Sequence, residues 1–91
     1  MKFDNEKIKM DLICPEFIEG VGEVLTFGAI KYKPDNWKNV SEAKNRYYAA
    51  ALRHILAYRK GEIIDSESGL SHLKHAATNI MFLLYFEQND K

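Results

Sequence analysis

The chain has 91 residues, 46% of them hydrophobic, with thirteen basic and thirteen acidic side chains and no net charge. That length holds one domain with only a thin core of its own, and the even charge argues against sequence-blind nucleic-acid binding, which uses a basic surface. The lone Cys14 excludes an internal disulfide and a CxxC metal knuckle. It fits a reducing cytoplasm. No run approaches ~18 uncharged apolar residues and the N-terminus lacks an apolar signal core, so no membrane association is expected.

After a short piece in KIKMDLI that reads as extended, the first helix is predicted over 15–31, opened by Pro15, whose missing N–H is unneeded at the first helical position. Phe17, Val21, Val24, Leu25 and Gly28 follow the 3.6-residue period and predict a buried stripe. Glu16, Glu19 and Glu23 share another face. Gly20 and Gly22 each cost about 1 kcal/mol against Ala inside a helix, so either the chain tolerates them or something approaches the backbone there.

The loop KYKPDNWKNV precedes a second helix, predicted over 42–60 with Ser41 as its N-cap. Arg59, Lys60 and Gly61 mark its end by charge and by turn chemistry. Tyr47, Ala51, His54, Ile55 and Tyr58 share a face, which puts His54 inside an apolar stripe. The loop EIIDSESG leads to the third helix, predicted over 70–87. Its main stripe is Leu73, Ala77, Ile80 and Leu84, with His72, His75 and Asn79 at i, i+3 and i+7 on a neighbouring face. The run HAATNIMFLLYF is apolar on nearly every side, and a helix of that kind has to be surrounded. Antiparallel helices with short connections make the fold class all-α, and the chain is expected to complete its core as a homo-oligomer. It reads as one domain over 1–91, with nothing appended after the third helix.

Several groups carry chemistry. Glu16, Glu19 and Glu23 are helix neighbours that could converge on a hard dication, or form a solvated face near a helix N-terminus. His72 and His75 suit metal binding or proton transfer, or simple hydrogen bonding at a helix surface. Asp65 and Glu67 precede the third helix, where acids also serve as caps. Lys31, Lys33 and Lys38 alternate with Tyr32 and Trp37, a pattern that could hold a phosphate and stack a base, unless Trp37 packs beneath the loop. Arg53 beside His54 could face an anion between helices or make a surface salt bridge of little worth. No GxxxxGK[ST] loop, HExxH pair or Ser-His-Asp order occurs.

Taken together, PEFIEGVGEVLTFGAIKYKPDNW and AALRHILAYRKGEIIDSESGLSHLKHA, from about Asp11 to Glu87, resemble the phage and bacterial dATP/dGTP diphosphohydrolase family of MazZ type. That group is related to the MazG-like all-α nucleoside triphosphate pyrophosphohydrolases. The specificity lies in the order and spacing of FGAxKY, NW, RH and DxESGLxHxxHA. The resemblance implies a helical subunit that forms a homodimer or homotetramer in the host cytoplasm. It implies hydrolysis of a (deoxy)nucleoside triphosphate, with dGTP or dATP favoured, to the monophosphate and pyrophosphate with Mg²⁺ or Mn²⁺.

Carried over by position, Glu19 and Glu23 are the metal ligands of the first helix, with Glu16 as an outer candidate. Asp65, Glu67, His72 and His75 form the other wall of the site, Asp65 and Glu67 joining the metal set. Glu19, Glu23, Asp65 and His75 are the catalytic candidates. Lys31, Arg53, His54 and His72 face the substrate, and Tyr32, Asn36 and Trp37 read the base. Two features depart from the wider superfamily. The first helix has ExxxE where ExxE is usual, and the third helix has His75 and Asn79 near the expected carboxylates of ExxD. The alternative reading is a non-catalytic nucleotide binder or a structural helical module. A DNA-binding helix-turn-helix comes last, since neither later helix has a basic recognition face.

Overall fold

The computed structural model describes residues 7–89. The described residues form three helices, α1 (Pro15–Lys31), α2 (Ala43–Arg59) and α3 (His72–Asn89). Short 3-10 turns lie at Met10–Leu12 and Asn36–Asn39. Among the described residues there is no strand, only an isolated antiparallel bridge between Ile64 and Ser71. α3 is the middle element and packs on both α2 and α1. Its contacts with α2 run antiparallel: His54 meets His72 near one end, and Tyr47 meets Phe82 and Phe86 near the other.

Pro15 opens α1 as expected, after Cys14 in extended conformation. α2 ends in a Schellman turn, with Gly61 at φ 101° donating to the Tyr58 carbonyl and Glu62 to that of Ala57. Ser41 does not cap α2. The N-cap is Glu42, held at φ 55° with no side-chain bond, and its carbonyl accepts the Arg46 amide. The serine lies one residue too early, in the turn before the helix. The extended piece expected in KIKMDLI is instead the turn at Met10–Leu12. A lone strand would leave its amides unpaired, whereas here Leu12 and Ile13 donate to the carbonyls of Lys9 and Met10.

Burial corrects the expected stripes. On α1, Phe17 is 55% exposed, and the buried residue is Gly20, against which Lys74 packs. A Cβ at Gly20 would stand 2.9 Å from Lys74 Cγ, so the glycine is there to admit α3. On α2, Ala51 is buried while Ile55 and Tyr58 stay exposed. On α3 the expectation inverts: His72, Ala76, Thr78 and Asn79 are buried, and Leu73, Ile80 and Leu84 are exposed. Ala51 and Ala76 are the buried hydrophobic residues among those described, so the single chain encloses almost no apolar core.

Candidate active site

The buried face of α3 is polar and fully paired. Thr78 donates to the Lys74 carbonyl and Asn79 to that of His75, both at 2.8 Å. No buried side-chain polar atom among the described residues lacks a partner. Such pairing is the condition for burying polar groups without a large penalty.

The 62–71 loop wraps over the start of this face. Asp65 Oδ1 accepts the amides of Glu67 at 2.9 Å and Ser68 at 3.0 Å, an Asx turn closed by Gly69 at φ 75°. Ile63 and Leu70 carbonyls take the amides of His72 and Asp65, which ties the loop to the helix. Ser68 Oγ accepts the Leu70 amide and shares a 2.6 Å hydrogen bond with His75 Nε2. The DxESG segment is thus a turn built around one carboxylate, and it leaves Asp65 Oδ2 pointing toward α2.

Three imidazoles meet there. The rings of His54 and His75 stack with centroids 4.6 Å apart and 11° between planes. His54 Nδ1 lies 2.8 Å from His72 Nδ1 and 4.0 Å from Asp65 Oδ2. Burial, foremost, lowers the pKa of both His54 and His75, offset in part by the charge of Asp65. Burial opposes ionisation of Asp65 too, yet the Ser68 and Glu67 amides and the nearby histidines bring its pKa below the ordinary carboxylate value. At pH 7 Asp65 is therefore a carboxylate, and His54 and His75 are held toward their neutral forms.

His75 also lines a cavity of about 770 Å³ between the C-terminal half of α1, the 32–41 loop, the start of α2 and the middle of α3. Lys31, Lys33 and Arg46 give it positive charge, and Tyr32, Trp37 and Tyr47 give it aromatic walls. Trp37 is fixed there by stacking on Phe82 at 4.5 Å and by edge contact with Tyr85, while Tyr47 donates to its carbonyl at 2.8 Å. Packing beneath the loop and lining a cavity are both true of this tryptophan.

The predicted residues divide by place. Lys31, Tyr32, Asn36, Trp37 and His75 come together around the cavity, and His54, Asp65 and His72 cluster beside His75. Glu67 is ion-paired with Lys31, which raises the lysine's pKa through that hydrogen bond. Glu23 pairs with Lys74 at 2.6 Å. Glu19 is exposed on α1, and Glu16 borders a separate groove of about 430 Å³ with Phe17, Leu73 and Ile80. Arg53 is exposed and does not line the cavity, whereas Arg46, seven residues earlier, does. Arg46, Tyr47, Ser68 and Asn79 were absent from the predicted set. Asn79 had a signal in its i+7 spacing from His72, and Ser68 in the DxESG segment; Arg46 has none until the loop folds over it.

A family model described as dATP/dGTP diphosphohydrolase, N-terminal, matches residues 1–91. A dATP/dGTP diphosphohydrolase of Salmonella phage PMBT28 is 38% identical over 89 residues, which is 98% of this chain and 30% of that relative. The chain thus spans under a third of the curated relative's length. No solved structure matches significantly.

Proposed function

The chain belongs to the dATP/dGTP diphosphohydrolase N-terminal family, and from that premise we propose that it hydrolyses a purine deoxynucleoside triphosphate to the monophosphate and pyrophosphate. The observation that carries the proposal is the cavity. Its volume falls in the ~300–1,000 Å³ range of small-ligand sites, and one wall is aromatic while the rim holds Lys31, Lys33 and Arg46. A base stacks on Tyr32 or on the accessible part of Trp37, with Asn36 offering a donor and an acceptor to its edge. The cations take the phosphates. His75, neutral and bordering both cavity and cluster, is placed to accept a proton from an attacking water.

A dication, Mg²⁺ or Mn²⁺, belongs to the proposal as the charge partner of the triphosphate. The all-carboxylate set does not fit as a preformed cage: Glu23 and Glu67 are held by Lys74 and Lys31, and Glu16 borders another groove. Glu19 and Glu23 stay candidates for recruitment by a bound ion. Glu23→Gln separates the roles, since turnover is lost if the residue ligates and kept if it only pairs with Lys74. The engaged carboxylates also motivate the second reading, a nucleotide binder without turnover.

The exposed Phe17, Ile18, Leu73, Ile80 and Leu84 support a homo-oligomer, in which a second copy covers the outward face of α3. No described helix is long and apolar enough to cross a membrane. The deciding experiment is pyrophosphate release from the eight common NTPs and dNTPs, with Mg²⁺, with Mn²⁺ and with chelator. Metal-dependent release from dGTP or dATP, with the monophosphate as co-product, supports hydrolysis. Silence from folded protein that dNTPs nevertheless stabilise against heat favours the binder.

A further inference from the structure

We propose that His54, Asp65 and His72 form a transition-metal site, with two imidazole nitrogens and one carboxylate oxygen taking Zn²⁺, Co²⁺ or Mn²⁺ in preference to Mg²⁺. Their ligand atoms all lie within 4.8 Å of one another. A cation holding nitrogen and oxygen ligands at ~2.0–2.2 Å keeps those atoms roughly 3.0–3.6 Å apart. The observed edges, 2.8 Å between the two Nδ1 atoms and 4.0 Å from His54 Nδ1 to Asp65 Oδ2, bracket that spacing. Small ring rotations make the fit.

The protonation logic points the same way. Two imidazole Nδ1 atoms 2.8 Å apart need a proton between them, or else a cation shared by two lone pairs. With both protons on Nε2, both Nδ1 lone pairs are free beside the Asp65 carboxylate, whose Oδ2 lies 4.0 Å from His54 Nδ1. The three groups come from α2, the 62–71 loop and α3, so the site is assembled by the fold and by no local motif. Its supports are in place as well. Backbone amides of Glu67 and Ser68 orient Asp65 through its other oxygen, and His75 stacks on His54, as outer partners do in metal sites. His72 is 9% exposed, and the side chains of His54 and Asp65 are 18% and 19% exposed. Imidazole favours first-row transition ions, whereas Mg²⁺ favours oxygen and resists dehydration.

Three protein ligands leave positions open for water or a phosphate oxygen. Because His75 touches both the cluster and the cavity, an ion there adjoins any bound triphosphate. Only this last consequence rests on the hydrolase reading; the site stands on its own geometry.

The test uses the unaltered chain and the metal alone, without nucleotide. Calorimetric titration with ZnCl₂ is expected to show one ion per chain, and imidazole ¹⁵N spectra to show the Nδ1 resonances of His54 and His72 moving on binding. MgCl₂ at equal concentration leaves them in place. His54→Ala, at a partly exposed position, weakens Zn²⁺ binding by more than the ~10–100-fold that loss of an outer partner costs; His72 is buried and its replacement endangers the fold, so the spectra decide for that ligand. Unmoved His54 and His72 resonances, equal movement with Mg²⁺, or undiminished Zn²⁺ affinity in folded His54→Ala would each overturn the site. Zn²⁺ on both imidazoles without pyrophosphate release keeps the site and sinks the hydrolase. Release without any imidazole shift does the reverse.

Discussion

α3 has two faces about a quarter-turn apart, and they are treated in opposite ways. His72, Ala76, Thr78 and Asn79 are turned inward against α1 and α2, whereas Leu73, Ile80 and Leu84 are left in solvent. A chain that spends its scarce interior on imidazole, amide and hydroxyl groups is following something other than the hydrophobic effect, since burial of Leu or Ile is worth ~1.5–3 kcal/mol each. The difference matches the proposed reading, in which the inner face serves a site and a second copy covers the outer face.

The comparison is tested hardest on the inner face. His75→Ala should lower turnover of the preferred dNTP by roughly 10²–10⁴, the usual range for removing a general acid–base group. Far-UV circular dichroism should stay unchanged, because the half-buried ring packs on His54 and Ser68 without carrying the backbone. Unchanged turnover in a nucleotide-hydrolysing chain would make His75 a packing residue.

On the outer face the effect is expected in assembly. Ile80→Glu or Leu84→Glu places a charge where a second copy would pack, at positions 46% and 54% exposed in the single chain. Light scattering should show the oligomer giving way to monomer over at least a tenfold range of concentration, since an unpaired charge buried at an interface costs several kcal/mol. If mass and melting temperature are unaltered, the outer face is free surface and the core is complete as it stands.

Much of this was legible in advance. The three helices were readable because their periodicity, Pro15 and Gly61 are local signals, and local signals survive folding. The inverted faces of α3 were not, since a hydrophobic period says which residues are alike and not which side a neighbour covers. Ser41 was misleading for a related reason: capping chemistry names the residue type, while the left-handed Glu42 decides where the turn lets the helix begin. At the site, RH and DxESGLxHxxHA supplied His54, Asp65, His72 and His75, but their grouping depends on α2 and α3 running antiparallel. Arg46 and Tyr47 enter only because the 32–41 loop folds over them.

The smallest effects come from α1, where two glycines one turn-half apart face different surroundings. At Gly20 an added Cβ meets Lys74 Cγ at 2.9 Å, and at Gly22 it meets nothing within 4 Å. Gly20→Val should therefore destabilise the chain by ~1–3 kcal/mol, the cost of forcing bulk into a packed contact, and push α1 away from the inner face of α3. Gly22→Ala should do the opposite and stabilise by about 0.5–1 kcal/mol, because only the helix-propensity gain remains. Urea unfolding of both variants, read at a common slope, measures the pair. A loss at Gly20 with a smaller gain at Gly22 would place the close approach of α1 to α3 at Gly20 alone; a loss at Gly22 as large as at Gly20 would mean that α1 packs against another surface, and that the outer face of the bundle begins earlier along the helix.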